Sequence, residues 1–166
     1  MAVVNVSSSI ITGLDAVPVV KSNAQEIGGR IRGAAAFADF AASDATSVAR
    51  LLRLPSRARI HRVVFASDDL GTGGTVDVGV HQTTANGGAV VDADVFASAI
   101  DTDTAAVART DITLESAVIG IEKCQQKLWQ WLGLSADSNR DYDITVTRNT
   151  AAGTGTVALW IDYVLD

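Results

Sequence analysis

Residues 142–165 read YDITVTRNTAAGTGTVALWIDYVL, and two runs within this stretch alternate between apolar and polar residues. In the first run, Tyr142, Ile144 and Val146 share one face. In the second run, the residues at 157, 159, 161 and 163 share one face. A period of two is typical of a strand with one buried face. The glycine-containing stretch 149–155 predicts a turn, so we predict an antiparallel β-hairpin whose buried face a second sheet must cover.

The chain from residue 47 onward carries further short runs of the same kind, separated by glycine, proline, asparagine and aspartate. We predict strands at Ser47–Leu54, Ala58–Ser67, Thr75–Gln82, Ala105–Thr113 and Ala117–Glu122. Asp92–Asp103 is compatible with a strand or loop and also with a short helix. Gln126–Leu132, which is followed by Gly133, predicts a short helix with a glycine C-cap.

Two of these strands carry more detailed predictions. Val63, Val64 and Phe65 interrupt the alternation, so their strand is either buried on both faces or contains a bulge. In Thr75–Gln82 the three valines are expected to point inward, and Asp77, Gly79 and His81 are expected to point outward.

About eight short strands, turn signals every 8–15 residues and one short helix predict an all-β fold. The specific prediction is an antiparallel β-sandwich of the jelly-roll type that spans residues 46–166. Residues 1–45 contain serine, glycine and alanine clusters with few bulky apolar side chains. Such a segment buries too little surface to fold alone, so we predict an extended N-terminal arm with one strand at Arg30–Phe40.

The composition excludes several classes of protein. The net charge of −6 argues against binding to duplex DNA, because such binding needs several cations on one face. The apolar runs are far shorter than a membrane span requires, and the first residues lack the basic region of a secretory signal. We therefore expect no nucleic-acid or membrane partner and synthesis in a cytoplasm. The single Cys124 excludes an intrachain disulfide.

No motif for catalysis or for cofactor binding is present. The glycine-rich turns at 71–74 and 153–155 match no phosphate-binding loop, and His61 and His81 lie on separate predicted strands. We therefore expect neither an enzyme nor a bound cofactor. Four carboxylates, two residues apart within each pair, are either strand-edge and turn residues or a calcium site that lacks the usual closing glutamate. They are Asp92, Asp94, Asp101 and Asp103.

Tryptophan and arginine residues are the candidates for a protein interface. Trp129 and Trp131, two apart on a helical turn, cannot both face a core, and Trp160 lies on the polar side of its strand. Exposed tryptophan is enriched in protein interfaces. Residues 1–66 carry a net charge of +4 and residues 67–166 carry −10. We predict that the interface includes Arg30, Arg32, Arg50, Arg53, Arg57, Trp129, Trp131 and Trp160, with Arg59 and Arg62 as further basic residues.

Three motifs in this order resemble those of a group of small virion proteins of tailed bacteriophages. They are PSRARI at Pro55–Ile60, DADVFASA at Asp92–Ala99 and LWQWLGL at Leu128–Leu134. The resemblance covers residues 46–166 and leaves the arm unmatched. It implies a capsid decoration (cement) protein on the surface of the virion, with the major capsid protein and a second or third copy of itself as partners. A tail or head–tail junction protein and a carbohydrate- or receptor-binding sandwich remain as alternatives.

Overall fold

The structure is a computed structural model that describes residues 6–22, 27, 29–103, 105–116, 119–149 and 153–165. Half of the described residues form strands in two sheets. The strands are β1 (Ile31–Ser43), β2 (Val48–Pro55), β3 (Arg59–Ser67), β4 (Thr75–Gln82), β5 (Val90–Asp101), β6 (Val107–Asp111), β7 (Asp141–Arg148) and β8 (Gly153–Val164). The helices are α1 (Ser9–Leu14) and α2 (Leu128–Trp131), and single 3₁₀ turns lie at Thr84–Asn86 and Ile121–Lys123.

The strand order is that of a jelly roll. One sheet, named sheet A here, has the order β1-β8-β3-β6, and sheet B has the order β2-β7-β4-β5. The first strand pairs with the last, the second with the seventh, the third with the sixth and the fourth with the fifth, all antiparallel. This pairing is that of one long ribbon wrapped around a core, as in double-sheet jelly rolls. The predicted all-β sandwich is confirmed.

The predicted hairpin of residues 142–165 is wrong in its pairing. β7 pairs with β2 and β4 in sheet B, whereas β8 pairs with β1 and β3 in sheet A. The predicted core faces are nevertheless buried, including Ile144 in β7 and Leu159 in β8. The two strands therefore face each other across the core. Alternation identifies the face that is buried but does not identify the strand that donates the hydrogen bonds.

The interruption in β3 has both of its predicted causes. Val63, Val64 and Phe65 are all at most 2% exposed, because β3 is an inner strand of sheet A. The register against β8 also shifts between Ile60 and Arg62. The valines of β4 point inward as predicted, and all three are fully buried.

β5 follows the strand interpretation of Asp92–Asp103 but is strongly bulged. Five residue steps from Asp92 to Ala97 lie opposite only two steps from Val78 to Val80 in β4. The extra residues of β5 fold over Gly79. This bulge buries the side chains of Val95, Phe96 and Ala97 completely, so the DADVFASA motif supplies core.

The segment between β6 and β7 differs from the prediction. Of the predicted strand Ala117–Glu122, residues 117 and 118 lie outside the described part, and residues 119–122 contain no strand. Ile119 is buried and Ile121 is 77% exposed. The alternation of buried and exposed side chains here therefore belongs to a loop and not to a strand of either sheet. The predicted helix at Gln126–Leu132 is present as the four-residue α2, followed by Gly133 at a φ of 66°.

The strand predicted within the N-terminal arm is β1, and it pairs along its length with β8 of its own chain. β1 is thus part of the sandwich. The preceding segment is not extended throughout, because it contains the unexpected helix α1, which Ser8 caps and which buries no residue. The segment shows several exposed apolar side chains, among them Val6, Val17 and Val20.

Candidate partner interface

Arg50 and Arg53 converge on one carboxylate on the outer face of sheet B. Arg53 Nε lies 2.7 Å from Asp143 Oδ1, and Arg50 Nη1 lies 3.0 Å from Asp143 Oδ2. Residues three apart on a regular strand point to opposite faces. The register of β2 against β7 shifts between Arg50 and Leu52, and this irregularity returns both arginines to one face. We name Arg50, Arg53 and Asp143 the arginine fork.

The fork also connects the strands of sheet B to a turn. Arg50 donates hydrogen bonds of 2.8 Å to the carbonyl oxygens of Gln82 and Gly88, which flank the β4–β5 turn. The Asp143 side chain is only 6% exposed, whereas those of Arg50 and Arg53 are 32% and 55% exposed. The outer surface of the fork is therefore cationic, and its one carboxylate is shielded from solvent.

The charges of the arginine fork contribute to shifts in the pKa values of Asp143 and His81. Burial opposes ionisation of Asp143, but the hydrogen bonds and charges of Arg53 and Arg50 outweigh it and lower the pKa of this carboxyl below its ordinary value. Next to the fork, burial and then the Arg50 charge lower the pKa of His81, and Asp143 only partly opposes this. His81 Nδ1 lies 2.9 Å from the Thr145 hydroxyl, which donates to the Gly79 carbonyl oxygen.

We predict that Asp143→Asn lowers the free energy of unfolding by about 2 kcal/mol at pH 7. The change leaves two arginines without their anion. The loss is smaller than for a fully buried pair because both arginines are partly exposed. Because the folded-state pKa lies below the ordinary value, this contribution is present at neutral pH and disappears as the pH falls through the folded-state pKa. Urea unfolding at several pH values measures both effects.

Asp141→Asn is the matched control, because Asp141 is an exposed carboxylate on the same strand. Its unfolding free energy should change by less than about 0.5 kcal/mol. Equal losses for the two variants would show that the arginine fork does not stabilise the sandwich.

The outer face of sheet A carries an aromatic surface. Trp160 of β8 lies between Ala35 of β1 and Val64 of β3 in the sheet register. The Arg109 guanidinium stands 4.6 Å from the centre of the Trp160 ring, which is a cation–π contact. Beside Ala158, Phe37 of β1 is 72% exposed. We name this surface the Trp160 face.

The predicted interface residues do not form one patch. Arg30 and Arg32 are exposed at the start of β1, in sheet A. Arg50 and Arg53 lie in sheet B, and Arg57 is an exposed residue in the otherwise buried turn after β2. Arg62 is exposed and pairs with Asp111 at 3.2 Å, and Arg59 is buried.

Trp131 is a correction to the predicted interface. Its side chain is part of the core, and the residue is 3% exposed. The ring stands edge-on to Phe96 with 6.0 Å between the ring centres, and Nε1 donates to the Lys123 carbonyl oxygen. Trp129 is half-buried, as expected for two indoles on one short helix. Trp131 therefore offers no surface to a partner.

Sequence reasoning missed Phe37, Arg109 and Asp143. Phe37 is the bulky side chain within the alanine-rich run 34–38, and that contrast was an available signal. No local signal marks Asp143 or Arg109, because their partners are far away in the sequence. The contact of Asp143 with Arg53 spans 90 residues.

The aspartates of β5 act as turn and edge residues. Asp92 Oδ1 accepts from the Asp94 amide and Asp101 Oδ1 accepts from the Asp103 amide, while Asp103 accepts from the amide of Gly73. Burial, opposed in part by the Asp94 amide, raises the pKa of Asp92. Within the described part of the chain no three His, Cys, Asp or Glu side chains converge as metal ligands.

An open cleft of about 640 Å³ lies beside β3, and its walls include His61, Asp111, Cys124 and Trp131. No hydrogen bond joins His61 to the exposed Cys124 thiol among the described residues. In the same cleft the Thr113 hydroxyl donates a hydrogen bond of 2.6 Å to Asp111 Oδ1.

The arginine fork thus lies on the outer face of sheet B and the Trp160 face on the outer side of sheet A. None of the helices in the described ranges has the length and apolar character needed to cross a bilayer.

The comparisons with known proteins show the fold. No protein-family model matches the sequence, and no curated protein matches it. A chain in the capsid asymmetric unit of cyanophage Pam1 has a TM-score of 0.56 and 18% identity, over 84% of this chain and 88% of that chain. A chain in the capsid of Ralstonia phage GP4 has a TM-score of 0.55 and 19% identity, over 83% of this chain and 86% of that chain. This chain therefore has a fold that occurs in bacteriophage capsids.

Proposed function

We propose that this protein is a decoration protein of a bacteriophage capsid, which binds the outside of the major capsid protein shell and stabilises it. The observation that carries the proposal is the similarity to chains of two phage capsids over more than four fifths of each chain. The three motifs PSRARI, DADVFASA and LWQWLGL support it independently, because they resemble motifs of phage virion proteins.

The physical role needs a rigid body that binds only the assembled shell. Binding to the assembled state alone stabilises that state by mass action, and many repeated contacts add through avidity. The jelly roll supplies the rigidity, and the role needs no catalytic group or cofactor.

The contacts with the shell are proposed on chemical grounds. The arginine fork, Arg57 and the Arg30–Arg32 end of β1 present exposed guanidinium groups to acidic surfaces of the major capsid protein. The exposed apolar residues of the segment before β1 lie along a neighbouring subunit. On this proposal residues 1–30 are the arm, and the protein reaches the surface of the virion after synthesis in the cytoplasm of the host bacterium.

Quantitative gel densitometry of purified virions tests the proposed place in the particle. A decoration protein is expected at a copy number comparable to that of the major capsid protein. A tail or head–tail junction protein would be present at a small fraction of that number, and this result would replace the proposal with the alternative.

Removal of residues 1–30 tests the arm. We predict that the truncated protein keeps its thermal unfolding transition, because α1 buries no residue and β1 begins at Ile31. We also predict that it binds empty shells at least about tenfold more weakly in co-sedimentation, because the arm contributes a second contact. The full chain is the control. An unfolded truncated protein would show that the arm belongs to the core, and unchanged binding would show that it makes no contact with the shell.

A further inference from the structure

β1 has exposed charges near both ends and a register shift between Phe40 and Ser43, but the run Gly33–Ala38 on its edge carries no guard against pairing. β1 is thirteen residues long and ends sheet A, and no described strand covers its outer edge. The row of backbone N–H and C=O groups on such an edge is a template for another strand, so natural proteins interrupt edges with charges, proline, bulges or short length. From Gly33 to Ala38 the edge of β1 has none of these features.

The other three edges are guarded. β6, at the far edge of sheet A, has five residues, two of which are Arg109 and Asp111. β2 carries the arginine fork and Pro55, and β5 carries the large bulge. The contrast indicates that the open edge of β1 is covered by a partner strand.

The charges along β1 indicate that the partner is a second copy in the antiparallel direction. The exposed Arg30 and Arg32 stand at its start, and the exposed Asp39 and Asp44 stand at its end. Antiparallel pairing of two copies brings the basic end of each strand next to the acidic end of the other. With Ala35 opposite Ala35, Arg32 lies opposite Ala38, one residue from Asp39 of the other copy. Parallel pairing would bring like charges together, and this arrangement is unfavourable.

The shape of the outer face sets the register. Phe37 is 72% exposed, and Gly33, four residues earlier on the same face, borders a recess of about 240 Å³ beside Trp160 and Asp162. In an antiparallel pair in which Ala35 lies opposite Ala35 of the second copy, Phe37 of each copy lies opposite Gly33 of the other. The ring then covers the gap that glycine leaves in the strand.

We propose that β1 pairs with β1 of a second copy across a two-fold axis at Ala35, so that two four-stranded sheets join into one of eight strands. The proposal deepens the proposed structural role by naming the surface of self-association. It fails independently of that role, because capsid attachment is measured separately in the co-sedimentation assay. Isologous pairing of this kind closes at two copies.

The first test is the mass in solution of Ala35→Lys, measured by light scattering after size exclusion. The wild-type protein is expected at about twice the 17.3 kDa of one chain. Because the two-fold axis places the lysines opposite each other, the variant should dissociate at least about tenfold more readily. Ala108→Lys is the matched control, because Ala108 is an exposed alanine on β6, the other edge of sheet A, and this variant should remain dimeric.

A second test avoids any effect of lysine on folding. In a Cys124→Ser background, Ala35→Cys should form a disulfide-linked dimer on oxidation, because directly opposed residues of antiparallel strands lie within disulfide range. Ala108→Cys should not. A monomeric or trimeric wild type, a dimer that persists in Ala35→Lys, or equal crosslinking at both positions would each overturn the proposal.

Discussion

Gly79→Ala is expected to lower the free energy of unfolding by about 4 kcal/mol or more, a loss that only a short list of mechanisms produces. A Cβ atom at residue 79 would lie 2.1 Å from the carbonyl carbon and oxygen of Ala93 and 2.3 Å from the Asp92 carbonyl oxygen. These atoms belong to the backbone of the β5 bulge, so no side-chain rotation relieves the overlap. Either β5 must leave β4 or the buried residues Val95–Ala97 must move.

Gly133→Ala is the control for Gly79→Ala. Gly133 has a φ of 66°, and a Cβ atom there meets nothing within 4 Å. Its cost is limited to the strain of a left-handed backbone, about 1 kcal/mol. Chemical denaturation of both variants compares the two effects. If Gly79→Ala unfolds at the same denaturant concentration as the wild type, the backbone of the β5 bulge does not approach residue 79 closely enough to require glycine there.

Trp131→Ala is expected to lower the free energy of unfolding by about 3–5 kcal/mol, the usual range for deleting a large buried aromatic ring. The ring is buried against Phe96, and its deletion leaves a cavity between α2 and the sandwich core. Thermal and chemical unfolding measure this loss. Trp129 of the same helix and Trp160 of β8 are partly exposed, so their removal should cost less.

Trp160→Ala is the comparison that separates core from interface. Trp160 is half-buried on the outer face of sheet A, so we expect a smaller loss of stability, about 1–2 kcal/mol, together with weaker association with partners. Binding to shells and self-association of the folded variants are measured beside their stability. If Trp131→Ala were as stable as the wild type and yet failed to bind shells, the assignment of Trp131 to the core would be wrong.

The sequence predicted individual residues of the candidate interface but not how they are arranged in space. The sequence showed that arginines are concentrated in the first 66 residues and that one of the paired tryptophans must leave the core. It did not show that Asp143 binds both Arg50 and Arg53, because that contact depends on a register shift in β2 and on the pairing of β2 with β7. Interaction surfaces combine residues that are far apart in the chain, and the composition of the chain does not indicate which of these residues come together.

The amino-acid sequence by itself determined the class of fold, the positions of most strands and the faces that they bury. These features follow from the two-residue period of side chains along a strand, which is a local property of the chain. Only the tertiary structure decided that β7 and β8 lie in opposite sheets, that β5 folds over Gly79, and that β1 ends a sheet with an open edge. Strand pairing depends on backbone hydrogen bonds, which are chemically the same in every strand, so the partner is selected by how the whole ribbon closes around its core.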